Sequence, residues 1–283
     1  MRNNNGAIVR KITRRSLSAN KKRNFFIAVA IMLTGFMLAS VFSVGISLIE
    51  SITISPFRLE GTLAHMGAAR LNEAQIEKLH NLDYVTNIGE SARVAHAEFP
   101  HIDDGMLMVY IDRNTWENFS SPTFTNIVGH YGEDGNWIKL SRHKLSEMGI
   151  ENAYVGMEIT LSFTPLGSDA SQTETFTLAA IYTEFVSAHR GAFTPIFVSR
   201  SFAERHGQIY PENMNYQIIF RSLARAMDYA EQLASDLELD SHWLMGVNTA
   251  VLAAATFSPV PVYISMGVII VFLMLTGFLL IYN

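Results

Sequence analysis

The run FFIAVAIMLTGFMLASVFSVGISLI, residues 25–49, contains no charged side chain, and its reading decides the class of the chain. At about 1.5 Å rise per residue, a helix of that length reaches roughly 37 Å against a bilayer hydrocarbon core of about 30 Å. It is long enough to span with room to tilt. A second uncharged run, VYISMGVIIVFLMLTGFLLIY at residues 262–282, reaches roughly 31 Å by the same measure. The chain is 49% hydrophobic and only 17% charged, and the apolar excess sits in these two blocks. A cleavable signal peptide also begins basic, but its apolar core is only about 7 to 15 residues and ends at a small-residue cleavage site. Here apolar character continues through Ser47, Leu48 and Ile49, which favours an anchor.

Charge sets the expected orientation. The segment ahead of the first run holds Arg2, Arg10, Lys11, Arg14, Arg15, Lys21, Lys22 and Arg23 and no acidic residue. The positive-inside rule therefore puts it in the cytoplasm, with Arg14, Arg15, Lys21, Lys22 and Arg23 as the orienting residues. Every acidic residue, from Glu50 to Asp240, lies between the two runs, so the middle is expected outside the cytoplasm. The expected arrangement is a multi-pass cell-membrane protein with a basic cytoplasmic segment at 1–24, transmembrane helices at 25–49 and 261–283, and an extracytoplasmic domain at 50–260. Within the first run, Gly35, Ala39, Ser43 and Ser47 recur every four residues and place small side chains along one helix face. That spacing permits close approach of another helix, although small residues are also common in spans generally. Ile8, Val9 and Ile12 form an apolar side of a short helix among basic residues; a helix on the inner membrane surface and a disordered basic tail both fit.

Between the runs lie about two hundred residues, enough for one or two compact domains with a core. Asn72 reads as the cap of a helix running to His80, after a strand at 61–68 and before a long alternating strand from Val85 to Phe99. Toward the far end, Tyr216 to Phe220 reads as a strand, Ser222 as a cap, Leu223 to Leu237 as an amphipathic helix and Trp243 to Val247 as a returning strand. The middle reads as a strand at Trp137 to Leu140, a short helix from Ser141 to Met148 stopped by Gly149, and a hairpin with arms at Glu158 to Phe163 and Thr175 to Tyr182. The predicted fold is an α+β membrane protein, with two transmembrane helices flanking a mixed α/β extracytoplasmic domain that carries an inserted β-rich subdomain. The α/β part is expected at about 58–113 plus 195–250 and the insert at about 114–194.

Catalytic chemistry has little purchase. The chain lacks a G-x-x-x-x-G-K-[ST] phosphate loop and an H-E-x-x-H zinc helix, so ATP-driven work needs a separate subunit. His96 and His101, around Glu98, differ in strand parity and face opposite sides, which disfavours a metal site. Asp103, Asp104 and Gly105 lack the later ligands of a calcium loop and read as a solvated turn. No serine lies in a nucleophile-elbow pattern, no cysteine is present, and no cofactor, metal or catalytic residue is expected. Trp116, Phe119 and Phe124 read as packing, and Tyr263 and Tyr282 as interfacial anchors. The acidic middle argues against a nucleic-acid partner.

The run Ile12-Thr-Arg-Arg-Ser-Leu-Ser-Ala-Asn-Lys-Lys-Arg-Asn24 resembles the approach to the first span of FtsX-like ABC transporter permeases of the MacB type. The stretches from Trp137 to Ile150, Val155 to Leu161 and Phe176 to Tyr182 resemble the outer domain of such permeases, and Phe278 to Asn283 the end of their second span. The motifs are loose, and the specificity lies in their order over nearly the whole chain. The resemblance implies a permease subunit whose MacB-like outer domain is worked by a cytoplasmic ABC ATPase through the lipid-embedded helices. It also implies remaining permease spans or a second permease copy as partners. Because the chain stops at Asn283, where that family continues into a cytoplasmic loop and further spans, a fragment is expected. The alternatives are a two-span membrane sensor or adaptor with an extracellular ligand-binding domain and, third, a membrane-anchored enzyme without a visible motif.

Overall fold

The computed structural model describes residues 6–19, 21–99, 102–132, 135–185, 195–239, 244–248 and 257–282. The chain divides into two units, one of residues 1–51 with 258–283 and one of residues 52–257.

The first unit holds α1 (Gly6–Ala19), most of α2 (Lys21–Glu60) and the C-terminal apolar helix, labelled α8 below (Val260–Tyr282). Both α2 and α8 are long and apolar enough to cross a membrane. Helix α2 outruns the predicted span at both ends: Lys21 to Asn24 join it ahead of the apolar run, and it continues past Pro56 to Glu60. The face of α2 turned toward α8 is Ile27, Ala30, Thr34, Leu38, Val41 and Gly45, a three-and-four spacing that keeps one side of a helix. On α8 the matching face is Val262, Met266, Ile270, Leu273 and Gly277. Gly45 lies so close to Met266 that a Cβ there would fall 2.2 Å from its sulfur, and a Cβ on Gly277 would meet Thr34 Oγ1 at 3.3 Å. The two helices thus run antiparallel in one register, each pairing a glycine with a larger side chain of the other.

Among the described residues the second unit is built on ten strands: β1 (Met66–Ala69), β2 (Val85–Phe99), β3 (Ile102–Ile111), β4 (Thr125–Gly129), β5 (Trp137–Ser141), β6 (Glu158–Pro165), β7 (Gln172–Thr183), β8 (Ile196–Val198), β9 (Met214–Phe220) and β10 (Leu244–Val247). Its helices are α3 (Glu73–His80), α4 (Arg113–Thr115), α5 (Arg142–Glu147), α6 (Arg200–Arg205) and α7 (Ala226–Asp236). The sheet runs β10-β1-β9-β2-β3-β8-β5-β7-β4. Strand β6 pairs with both β2 and β7, so β2, β3, β8, β5, β7 and β6 close into a barrel. The fifteen-residue β2 serves both parts: Val85 to Ala92 pair with β9, while Ala95 to Ala97 pair with β6. The mixed α/β part and the β-rich part therefore share strands.

Alternation makes the core. On β9, Met214, Tyr216, Ile218 and Phe220 point inward and are buried. They meet Ala226, Tyr229, Ala230 and Leu233 of α7, spaced three and four apart, and Leu79 of α3. Asn72 caps α3 in a reciprocal capping box with Gln75, as its position before the periodic run predicts. Phe163, Phe176 and Phe202 pack edge to face in the barrel part.

Three expectations need correction. The strand expected at 61–68 begins only at Met66, because Gly61 takes φ 71° and ends α2 in a left-handed turn. Ser222 makes no side-chain cap: residues Leu223 to Arg225 form a tighter 3-10 turn and α7 starts at Ala226. Asp103, Asp104 and Gly105 lie within β3 and not in a turn. Gly105, at φ 70°, sits where a Cβ would come 2.5 Å from the Ala97 carbonyl oxygen, beside a register shift between Ala97 and Phe99. The pair bulges there, and glycine is what lets it. His101 and Trp243 fall outside the described residues.

Candidate functional site

Helices α3 and α7 cover one face of the open sheet, and the other face carries a cleft. Cross-strand partners share a face, so register places Gly67 beside Gln217, Ser91 beside Asn215, and Arg93 beside Val109 on this uncovered side. The main cavity is about 430 Å³, with Leu107, Val109, Met66 and Val247 as apolar lining and Ser91, Arg93, Asn215, Gln217 and Asn248 as polar groups. A second cavity of about 190 Å³ adjoins it, sharing Glu60, Thr62, Ser91, Val109 and Gln217, and reaches Glu184 and Phe185.

The segment leaving α2 forms the rim. Thr62 Oγ1 donates to Gln217 Oε1 at 2.7 Å and accepts from the Ala64 amide at 3.1 Å. Asn248 Nδ2 donates to the Ala64 carbonyl at 2.9 Å, and its backbone amide to the His65 carbonyl at 3.0 Å. The Arg93 side chain is exposed in the cleft and makes no ion pair among the described residues. A cavity with an apolar floor, several amides and one guanidinium suits a small amphiphilic ligand held by hydrogen bonds.

Beneath the rim, His65 is buried between Phe57 and Phe220, with ring centroids 6.5 and 6.0 Å away. Its Nδ1 accepts from the Phe220 amide at 3.1 Å, which requires a bare nitrogen, and burial pushes the ring's pKa down to about 4.

Two lysines are fully buried on β5 and α5. Lys144 Nζ donates to both Glu184 carboxylate oxygens, at 3.0 and 3.1 Å, and Ser141 Oγ donates to the same carboxylate. Lys139 has no such partner among the described residues. Its Nζ lies 3.5 Å from the Trp137 ring centroid, 4.2 Å from Tyr131 and 4.9 Å from Trp116, and burial pushes its ammonium down to about 6. Gly132 closes this cage: a Cβ there would fall 2.3 Å from Trp137 Cδ1, so only glycine lets the loop lie on the indole and carry Tyr131 over the amine. Tyr131 OH donates to the Ile111 carbonyl at 2.8 Å.

The residues singled out from sequence lie elsewhere. Gly35 borders an apolar groove of about 420 Å³ along α2 and α8, while Ala39, Ser43 and Ser47 are exposed on a face turned away from α8. Arg15, Lys21, Lys22 and Arg23 are exposed, and Arg14 lies within α1. Trp116, Phe119 and Phe124 are buried. His96 is exposed, and Glu98 accepts from Ser171 at 2.9 Å. Among the described residues, no three histidine or acidic side chains converge as metal ligands. Sequence reading missed the cleft, since its members come from five separated segments, and missed Gly45, which no four-residue repeat marks.

No protein-family model matches the chain, and no curated protein matches it. Among solved structures, a domain assigned to a permease protein of Porphyromonas gingivalis is similar at 9% identity and a TM-score of 0.33, covering 59% of this chain and 70% of that one. The extracellular domain of the noncanonic ABC-type transporter YknZ from Gram-positive bacteria is similar at 11% identity and a TM-score of 0.34, covering 66% of this chain and 90% of that one.

Proposed function

We propose that the chain is a permease subunit of an ABC transporter, with its sheet unit outside the cytoplasm and a separate cytoplasmic ATPase supplying the work. The observation that carries this reading is the placement of one mixed sheet unit between two helices of membrane-crossing length, the first preceded by a wholly basic segment. The order of sequence stretches resembling FtsX-like permeases of the MacB type supports it. On this reading Arg14, Arg15, Lys21, Lys22 and Arg23 hold the N-terminus on the cytoplasmic side, and residues 50–260 lie outside. Gly35, Ala39, Ser43 and Ser47 offer a free small-residue face to further permease spans or a second permease copy within the bilayer.

The test is affinity isolation of the full-length gene product from its native membranes. The expected result is co-purification of an ABC ATPase that changes with nucleotide. Isolation without an ATPase would refute the transporter reading. The uncovered cleft favours a second reading, a two-span sensor or adaptor, in which ligand occupies the cavity beside Arg93 and Gln217 and no ATPase associates.

A further inference from the structure

Helix α1 has two chemically opposed sides and, among the described residues, no protein covering Ile8, Val9, Ile12, Arg10, Lys11 or Arg15. Ile8, Val9 and Ile12 are exposed at 62%, 59% and 63%. At about 100° per residue they fall within an arc of roughly 100°, and the Thr13 hydroxyl beside that arc is turned back onto the Val9 carbonyl at 2.9 Å. Arg10, Lys11 and Arg15 occupy the remaining circumference, are exposed, and make no ion pair among the described residues. The first acidic residue of the chain is Glu50, so nothing local neutralises them.

We propose that α1 lies along an anionic phospholipid surface, with Ile8, Val9 and Ile12 at the acyl boundary and Arg10, Lys11 and Arg15 at the level of the phosphates. Two observations select lipid over an acidic protein. The exposed apolar residues require a non-aqueous neighbour, which a bilayer supplies beside the same phosphates that the cations need. Helix α2 also begins at Lys21, only two residues after α1 ends, so its membrane entrance fixes α1 within reach of the interface. Each basic side chain near an anionic leaflet raises the bound population about fivefold, and this gain falls with salt. The device makes the start of the chain sensitive to lipid charge. It rests on α2 being a span, not on the transport reading.

The absence of cysteine from the chain makes the test direct. Single Ile12→Cys, Lys11→Cys and Phe36→Cys chains, each carrying an environment-sensitive dye, are reconstituted at full length into vesicles of phosphatidylcholine with or without phosphatidylglycerol. With the anionic lipid, the dye at position 12 is expected to be quenched by shallow lipid-borne quenchers and to lose about tenfold in accessibility to aqueous iodide. Position 11 stays accessible, and the difference shrinks in neutral vesicles or in molar salt. A deep signal at 36 with positions 11 and 12 equally accessible overturns the docking alone, as does burial of position 12 only when an acidic protein is added. An accessible dye at position 36 overturns the span as well.

Discussion

Replacing Lys139 with Met removes a charge and keeps an unbranched chain of similar length, so it isolates the cost of the buried amine. In the folded protein burial pushes the ammonium down to about 6 from 10.5, and among the described residues no carboxylate or carbonyl receives it. In the unfolded chain it keeps the ordinary value. Between pH 6 and 10.5 the unfolded state therefore binds more protons, and stability rises with pH. At pH 7 the gap to the ordinary value is about 3.5 units, or roughly 5 kcal/mol at about 1.4 kcal/mol per unit. The ring faces of Trp137, Tyr131 and Trp116 oppose this by favouring the charged form, at up to about 2 kcal/mol for a desolvated ring in good geometry. The expected outcome is that Lys139→Met stabilises the sheet unit by about 2–4 kcal/mol at pH 7, with a gain that shrinks steadily toward pH 10. Urea unfolding of the full chain in detergent, followed by tryptophan fluorescence, measures it, since two of the three tryptophans line the cage. Parallel pH profiles for the two proteins, or a less stable Met variant, would show that the rings keep the amine charged and refute the reasoning.

His65 predicts a second slope in a lower window. Its folded value of about 4 against the usual 6.5 means stability is fully present above pH 6.5 and falls by roughly 3 kcal/mol on acidification to pH 4, as protonation takes Nδ1 away from the Phe220 amide. His65→Gln should flatten that part of the profile, and an unchanged acid slope would count against the assignment. Gly45→Leu should separate α2 from α8. Disulfide formation between Thr34→Cys and Gly277→Cys is expected to drop at least fivefold in that background but not with Gly35→Leu, and equal yields from both would refute the packing face.

The class of the chain was legible in its sequence because membrane crossing imposes a length and an absence of charge that survive without context. The capping box at Asn72 and the alternation of Val85 to Phe99 were legible for the same reason: each is local. Strand β3 was hidden by Asp103 and Asp104, residues whose turn preference yields when Gly105 makes a bulge beside β2. The face of α2 that packs on α8 was not legible, because small residues invite neighbours on any side. Which side is used depends on α8, more than two hundred residues further on. The cleft is legible only after register has aligned Gly67, Ser91 and Gln217, and single-sequence patterns carry no register.

Strand β2 carries a mechanical consequence. At about 3.3 Å per residue it is a tie rod of roughly 50 Å, bonded at one end into the open sheet and at the other into the barrel. Slippage by one residue in either direction would carry the exposed Arg93 and His96 into buried positions, so the register is held. A pull on either part is carried along one continuous strand, whose register shifts at Arg93/Ala95 and Ala97/Phe99 are the places where it bends.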